Sequence, residues 1–217
     1  MKIINFAETR SLVNQFMTEL RDVDIQKDML RFRTNIRRIG EIMAYEISKT
    51  LAYEPVTTTT CLGKASGYTV ADTVVLATIL RAGLPLHQGL LEFFDHAENA
   101  FVSAYRKYIS HDDFRISIEY LAAPRIDGKT LVISDPMLAT GSSMELAYEA
   151  LLTKGKPGKV HLASVVASRQ AVEAVAKKFP EDTTLWVAAI DDEINAHKYI
   201  VPGLGDAGDL AFGEKDG

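Results

Sequence analysis

The chain has 217 residues, 47% hydrophobic and 24% charged, the balance of a globular protein that buries one core, with or without a small appendage. A formal charge of −5 argues against a general polyanion binder, so nucleic acid is not an expected partner. The single Cys61 excludes an internal disulfide, no apolar run is long enough to span a bilayer, and MKIINFAETR holds no apolar signal core. A reducing, cytoplasmic setting without membrane attachment is therefore expected.

The first fifty residues read as helical. Ile25, Met29, Phe32, Ile36, Ile39, Met43 and Ile47 recur at spacings of three and four, one apolar stripe whose start Asp22 or Asp24 can cap. Such a stripe serves a core or an oligomer seam and implies no chemistry. VTTTTCL and YTV, around Gly63 and Gly67, then suit a hairpin or ribbon. From Thr73 onward TVVLATIL, NAFVSAY, TLVIS, KVHLASVVAS and TLWVAAI alternate with helical segments. Near-continuous β-branched runs of this kind suit strands buried on both faces of a parallel sheet, so the fold class is α/β with helical crossovers. Mixed polar and aromatic residues interrupt that rhythm around 106–128, where a hairpin or a flap over the site is expected. One domain results: an N-terminal helical segment (1–54), an α/β core (73–191) and a C-terminal loop region (192–217).

In a parallel sheet, ligands sit beyond the carboxyl ends of the strands, so the residues just after each apolar run are the informative ones. SDPMLATGSS follows a strand and opens a helix near Met144. Its small residues let backbone N–H groups approach an anion, while Thr140, Ser142, Ser143 and the helix N-terminus add donors. It lacks the Gly-Lys-Ser/Thr of a Walker loop, and Asp135 at its mouth suits ribose hydroxyls. The plainer reading is a βα turn with Ser as N-cap. In TILRAGLP, Arg81 stands beyond a strand as a fork of donors for a phosphate oxygen, and Pro85 can start the next helix. Arg106 in AYRKY can complete a two-arginine clamp, with Lys107 a weaker candidate.

GLGDAG, Gly203 to Gly208, fits the dinucleotide pattern G-x-G-x-x-G. The pattern has meaning only early in a βαβ unit, and too little chain follows for a helix, a second strand and a ribose-binding acid. The loop can instead press bare backbone groups against a flat ligand edge, with Asp206 as a carboxylate and Tyr199, Ile200 and Val201 as a wall. His87, His96, His111, His161 and His197 show no metal-ligand spacing, so no metal held directly by protein ligands is expected.

SDPMLATGSS, TILRAGLP and YIVPGLGDAGD, in this order and with these gaps, resemble the uracil phosphoribosyltransferases, and the similarity runs from about the second helix to the C-terminus. The resemblance implies a type I phosphoribosyltransferase fold: a parallel sheet with helices on both faces and a small C-terminal hood. It also implies transfer of the phosphoribosyl group of 5-phosphoribosyl 1-diphosphate (PRPP) to uracil N1, giving UMP and pyrophosphate, with Mg²⁺ held mainly by PRPP. By position, Asp135, Pro136, Met137, Leu138, Ala139, Thr140, Gly141, Ser142 and Ser143 would bind the ribose and 5-phosphate, Asp135 on the ribose hydroxyls. Arg81 and Arg106 would hold the diphosphate. Tyr199, Ile200, Gly205, Asp206 and Ala207 would read uracil, with Asp206 also near the donor and, with Arg106, a catalytic residue. The long amphipathic N-terminal helices lead to the expectation of a homodimer or larger homo-oligomer, and activation by GTP stays open.

Three positions depart from the family pattern: Ser142 for a glycine, Ser168 to Ala171 (SRQA) for a Pro-Glu-Gly turn, and Lys198 for a glycine. They keep open a catalytically weak or silent PRPP-binding regulator on the same fold. An RNA-binding regulator would need a basic face, for which Arg31, Arg33, Arg37 and Arg38 on one helix are the candidates.

Overall fold

Strands buried on both faces need helices on both faces. The computed structural model describes residues 1–108 and 114–215, the side chains at 104–108 and 114–117 excepted. In chain order the elements are β1 (Lys2–Asn5), α1 (Leu12–Arg21), α2 (Met29–Ser48), β2 (Tyr53–Thr59), β3 (Lys64–Val70), β4 (Val74–Leu80), α3 (Leu84–Leu91), β5 (Glu98–Tyr108) and β6 (Phe114–Ala122). Then follow β7 (Thr130–Ser134), β8 (Met137–Leu138), α4 (Ser142–Leu152), β9 (Lys159–Ser168), α5 (Arg169–Lys178), β10 (Thr184–Asp191), β11 (Glu193–Ile194), β12 (Ile200–Val201) and α6 (Ala207–Phe212).

The main sheet runs β1-β10-β9-β7-β4-β5-β6, with β8 also on β9. Every pairing is parallel except β5 with β6, an antiparallel pair along one edge; residues 109–113 of the region expected to be a hairpin or flap lie outside the described residues. Alternation along the strands sorts side chains into two cores. Leu76, Val132 and Trp186 join Ile36, Ile39, Met43 and Leu86 beneath α1, α2 and α3. Val75, Ala77, Leu131, Ile133 and Val187 join Met144, Leu151 and Val175 beneath α4 and α5. This is the α/β architecture read from the sequence, closed on both faces.

The N-terminal region differs from the helical reading in two places. Lys2–Asn5 is an edge strand, parallel to β10, and its four residues are too few to show a period. The apolar stripe also does not begin as one helix at Ile25: Ile25–Lys27 is a turn of 3₁₀-helix, Asp22 Oδ1 accepts from Asp24 N and Ile25 N, and Asp28 Oδ1 caps α2 by accepting from Arg31 N at 3.0 Å. Ile25 and Met29 are accordingly exposed, and the buried stripe starts at Phe32. The β2–β3 hairpin stands off the sheet with Tyr53, Leu62 and Tyr68 exposed. Among the described residues, no helix is long and apolar enough to cross a membrane.

The four arginines of α2 are engaged within the chain. Arg31 lies 3.5 Å from Glu19, Arg37 3.4 Å from both Glu41 and Glu92, and Arg33 donates to Ala211 O and faces the Phe212 ring. Arg38 donates to Asn35 and faces the Phe16 ring.

His161 is a core residue. The indole N–H of Trp186 donates to its Nδ1 at 3.1 Å, which places any ring proton of the neutral form on Nε2, and Thr50 Oγ1 stands 3.5 Å from that atom. Burial, helped by the charge of Lys159, pushes its pKa down to about 4, Asp72 opposing. The folded state therefore prefers the neutral ring, so stability is lost as pH falls from about 6.5 toward about 4, by roughly 3 kcal/mol for a shift of this size. Denaturation followed by the fluorescence of Trp186, the chain's one tryptophan, is expected to show that loss in the parent and a much flatter acid limb in His161→Gln. Equal slopes in the two would contradict it.

Candidate functional site

Because the sheet is parallel, the segments after β4, β7, β9 and β10 emerge at one rim. The segment after β7 is stitched to β9 residue by residue. Asp135 N donates to Ala163 O, Pro136 O accepts from Val165 N and Val166 N, and Met137–Leu138 pair with Val166–Ala167. The fully buried Ser168 completes the seam: its Oγ donates to Ala139 O at 2.6 Å and accepts from Ala171 N at 2.9 Å. The SRQA departure thus places a hydroxyl where it caps α5 and grips the preceding loop.

The segment ends at Gly141, whose φ of 84° lies in the left-handed region that favours glycine. Gly141, not a serine, is the N-cap of α4, and no side chain caps that end. Thr140 Oγ1 stands 3.1 Å from Ser142 Oγ and accepts from Ser142 N at 3.4 Å. The hydroxyl that Ser142 brings in place of a glycine therefore pairs along the loop. The result is a fixed concavity of backbone amides and hydroxyls at the positive end of an eleven-residue helix, suited to a phosphate.

Asp135 stands at its mouth, 9% exposed, with Oδ1 accepting from Met137 N at 3.2 Å. Burial pushes its pKa up to about 7, the Met137 N–H opposes, and the charge of Asp206 adds to the rise. Two carboxylates therefore share one neighbourhood. The hood meets this loop directly, since Ala207 N donates to Met137 Sδ at 3.3 Å.

Within the hood, β11 and β12 form a two-stranded ribbon. Asn195 Oδ1 holds its turn by accepting from His197 N and Tyr199 N. Lys198 sits there with φ 62°, the conformation that the family's usual glycine takes without cost and a lysine does not. Ile200 is 3% exposed and its side chain belongs to the core, so the expected wall of Tyr199, Ile200 and Val201 offers only Tyr199 and Val201 as exposed side chains, and Ile200 its backbone. A six-residue helix, α6, opens within GLGDAG, but no strand follows it among the described residues, where β12 pairs only with β11, so no βαβ unit forms. Asp206 is the N-cap of α6, its Oδ1 accepting from Gly208 N and Asp209 N at 2.8 and 3.1 Å.

Arg81 comes from the end of β4 to the same place, but not as an open fork. Its Nη2 donates to Asp209 Oδ1 and Gly213 O, both at 2.7 Å, and its Nε is buried without a partner among the described residues. Arg106 lies in β5 opposite Ile116, and its side chain, like Lys107's and all of His111, lies outside the described residues. Among the described residues, no group of three or more His, Cys, Asp or Glu could hold a metal ion.

The structure thus brings together Arg81, the Asp135–Ser143 loop and the Gly205–Ala207 hood. A cavity of about 680 Å³ opens on the outer side of the hood, lined by Gly205 and Asp206 together with Arg21 and Gln26. Another of about 720 Å³, between α2, α3 and β5, includes none of the residues expected to bind PRPP or uracil, although Arg33 and Arg37 of α2 line it. Sequence reasoning missed Arg21 and Asp191, which form a bidentate pair at 2.8 Å beneath the hood. Asp191 had a signal, an acid ending the last apolar run; Arg21, at the end of an ordinary amphipathic helix, had none.

Comparison with known proteins agrees with this arrangement. The family model described as uracil phosphoribosyltransferase matches residues 7–214. A curated uracil phosphoribosyltransferase of Porphyromonas gingivalis (strain ATCC 33277) is 61% identical over 215 residues, covering 99% of this chain and all of the relative. One of Methanothermobacter thermautotrophicus is 40% identical over 204 residues, covering 93% and 92%. Among solved structures, the AQ2163 protein from Aquifex aeolicus superposes with a TM-score of 0.86 at 28% identity, covering 97% of this chain and 98% of that one. A hypoxanthine phosphoribosyltransferase from Staphylococcus aureus, at TM-score 0.50 and 15% identity over 73% and 74% of the two chains, shares the fold. On the match along nearly its whole length, the chain belongs to the uracil phosphoribosyltransferase family.

Proposed function

We propose that the chain transfers the phosphoribosyl group of PRPP to uracil N1, forming the N1–C1 bond of UMP as the C1–O bond to pyrophosphate breaks. The observation that carries this is the junction of an α4 N-terminus without a side-chain cap, the buried Asp135 and the Asp206 hood, fastened by the Ala207–Met137 contact. The 5-phosphate sits on the amides and hydroxyls of Thr140–Ser143, and Asp135 accepts from the ribose hydroxyls. Arg81 turns from Asp209 to the diphosphate, with Arg106 as its partner. The uracil edge, acceptor-donor-acceptor, is met by backbone groups of Ile200 and Gly205–Ala207 beside Tyr199, whereas cytosine would set a donor against a donor. Positive charge gathers at C1 and negative charge on the leaving oxygens, so positioning and charge stabilisation supply the rate and no protein nucleophile is needed.

With Oδ1 held by the cap, Asp206 Oδ2 is the oxygen left to receive the N1 proton. Magnesium brought in by PRPP would supply neutralisation of the leaving diphosphate's charge, with Asp135 and Asp206 the carboxylates that would face it. Asp135, pushed up by burial and to a lesser degree by the charge of Asp206, and Asp206 itself are hard oxygen donors that would fit a cation bound through the donor's own oxygens. The free-standing β2–β3 hairpin, with exposed Tyr53, Leu62 and Tyr68, supports assembly as a homo-oligomer.

UMP formation measured with uracil, cytosine, hypoxanthine and orotate, with and without GTP, is expected to be uracil-selective and Mg²⁺-dependent. Asp206→Asn is expected to lower kcat by about 10²-fold or more. PRPP bound without consumption of any base would instead favour the silent regulator.

The pKa of Asp135 sets a sign for pH. Below about 7 its carboxyl is neutral in the free protein and a poorer acceptor, so the KM for PRPP falls as pH rises through about 7, and this dependence disappears in Asp135→Asn. Because the folded pKa lies above the unfolded value near 3.8, ionisation of Asp135 costs the free protein stability between about 4 and about 7, a cost the Asn variant lacks. A PRPP KM profile unchanged by the substitution would count against the ribose role.

Ser168→Ala, which frees Ala139 O, is expected to raise the KM for PRPP about 10-fold with little change for uracil, and Ser168→Thr to recover most of it. Equal changes for both substrates would show only a general loosening.

A further inference from the structure

Resting on the reading of Gly205–Ala207 as the base site, we infer that Arg21 and Asp191 form a positioning pair that sets the conformation of the uracil-reading loop. Arg21 borders the same cavity as Gly205 and Asp206, but its guanidinium is taken up by Asp191 and Gly203 O. Each residue of the pair holds the loop one step upstream, at Gly203.

Four hydrogen bonds meet there. Arg21 Nη1 and Nη2 donate to Asp191 Oδ2 and Oδ1, both at 2.8 Å, a planar bidentate pair whose Asp191 side chain is 8% exposed and Arg21 side chain 24%. Asp191 Oδ2 also accepts from Gly203 N at 2.9 Å, and Arg21 Nη1 donates to Gly203 O at 3.1 Å. Both backbone groups of one residue are thus gripped by one ion pair. Gly203 has φ 58°, and a Cβ there would fall 2.1 Å from Ile200 O, so only glycine places its backbone in that grip. The next residue, Leu204, is 3% exposed and packed in the core.

The two halves of the pair come from different parts of the fold. Asp191 ends β10, a rigid strand in register with β9 through Ser168, while Arg21 ends α1. The base loop is therefore referenced to the same sheet rim as the phosphate loop, which Ser168 fastens to β9. In that reading base selectivity depends on backbone groups, and their direction is set by what grips Gly203. Lysine at position 21 keeps the charge but cannot span both carboxylate oxygens and Gly203 O at once.

The test is steady-state kinetics of the full chain for Asp191→Asn, Arg21→Met, Arg21→Lys and, as a marker of the base site, Asp206→Asn, with folding checked by circular dichroism. The expected result is a uracil KM raised 10- to 100-fold in Asp191→Asn and Arg21→Met, a partial return in Arg21→Lys, a PRPP KM within about 3-fold of the parent, and a narrower margin of uracil over cytosine. A uracil KM unmoved by the pair but moved by Asp206→Asn would overturn the positioning role and leave the base site standing. If neither moves it, the base-site reading fails and takes the pair's role with it. Equal rises in both KM values would also overturn the inference, by showing a merely structural pair. Should Asp191→Asn not fold, Arg21→Lys carries the same comparison.

Discussion

A carboxyl group that is nine-tenths buried, held by a single backbone N–H and faced by a second carboxylate, is an unfinished arrangement. Asp135 is such a group, and burial with the charge of Asp206 pushes it to about 7. Under the proposed function, the ribose hydroxyls of PRPP would supply the donors that Asp135 lacks. The rest of the rim is consistent with that demand. The N-terminus of α4 has glycine as its cap, Arg81 is held at Asp209 in the hood helix, and the hood closes against the loop after β7 through Met137. The parallel sheet makes the convergence possible, since β4, β7, β9 and β10 deliver their following segments to one side.

Two seams hold this rim in shape, and both draw on residues that stand outside the ligand loops. Ser168 fastens the phosphate loop to β9, and the Arg21–Asp191 pair fastens the base loop to β10. Since Ser168 and Asp191 are themselves register partners on adjacent strands, the two loops share one rigid reference. This gives the departures from the family pattern a physical reading. Ser168 replaces a turn with a hydroxyl that caps and grips, Ser142 adds a hydroxyl paired with Thr140, and Lys198 carries the strain of a left-handed backbone in the hood turn. Arg81, by contrast, is held by Asp209 and Gly213, contacts that the proposed diphosphate role would exchange for phosphate oxygens.

The α/β class and the strand, glycine turn and helix around Asp135–Ser143 were legible in the sequence because both depend on local signals: β-branched runs for buried strands, and small residues between a strand and a helix. The hood was legible chiefly through its resemblance to a family, since its glycines alone also satisfy a dinucleotide pattern. Other features depend on contacts between distant segments and left no local trace. Arg21 meets Asp191 across 170 positions, and Arg81 meets Asp209 across 128. The edge strand β1 exists because β10 offers it a partner. Asp28 outcompetes Asp22 as the cap of α2 because a 3₁₀ turn comes between them, and Ile200 turns to the core although its neighbours in sequence are exposed.

The union of phosphate cradle and base hood in one site is tested most directly by a crystal structure with UMP bound. The predicted result places the phosphate on the amides of Thr140–Ser143, the ribose hydroxyls on Asp135 and the base edge against the backbone of Gly205–Ala207. UMP lodged instead in the cavity between α2, α3 and β5, with the cradle empty, would contradict it.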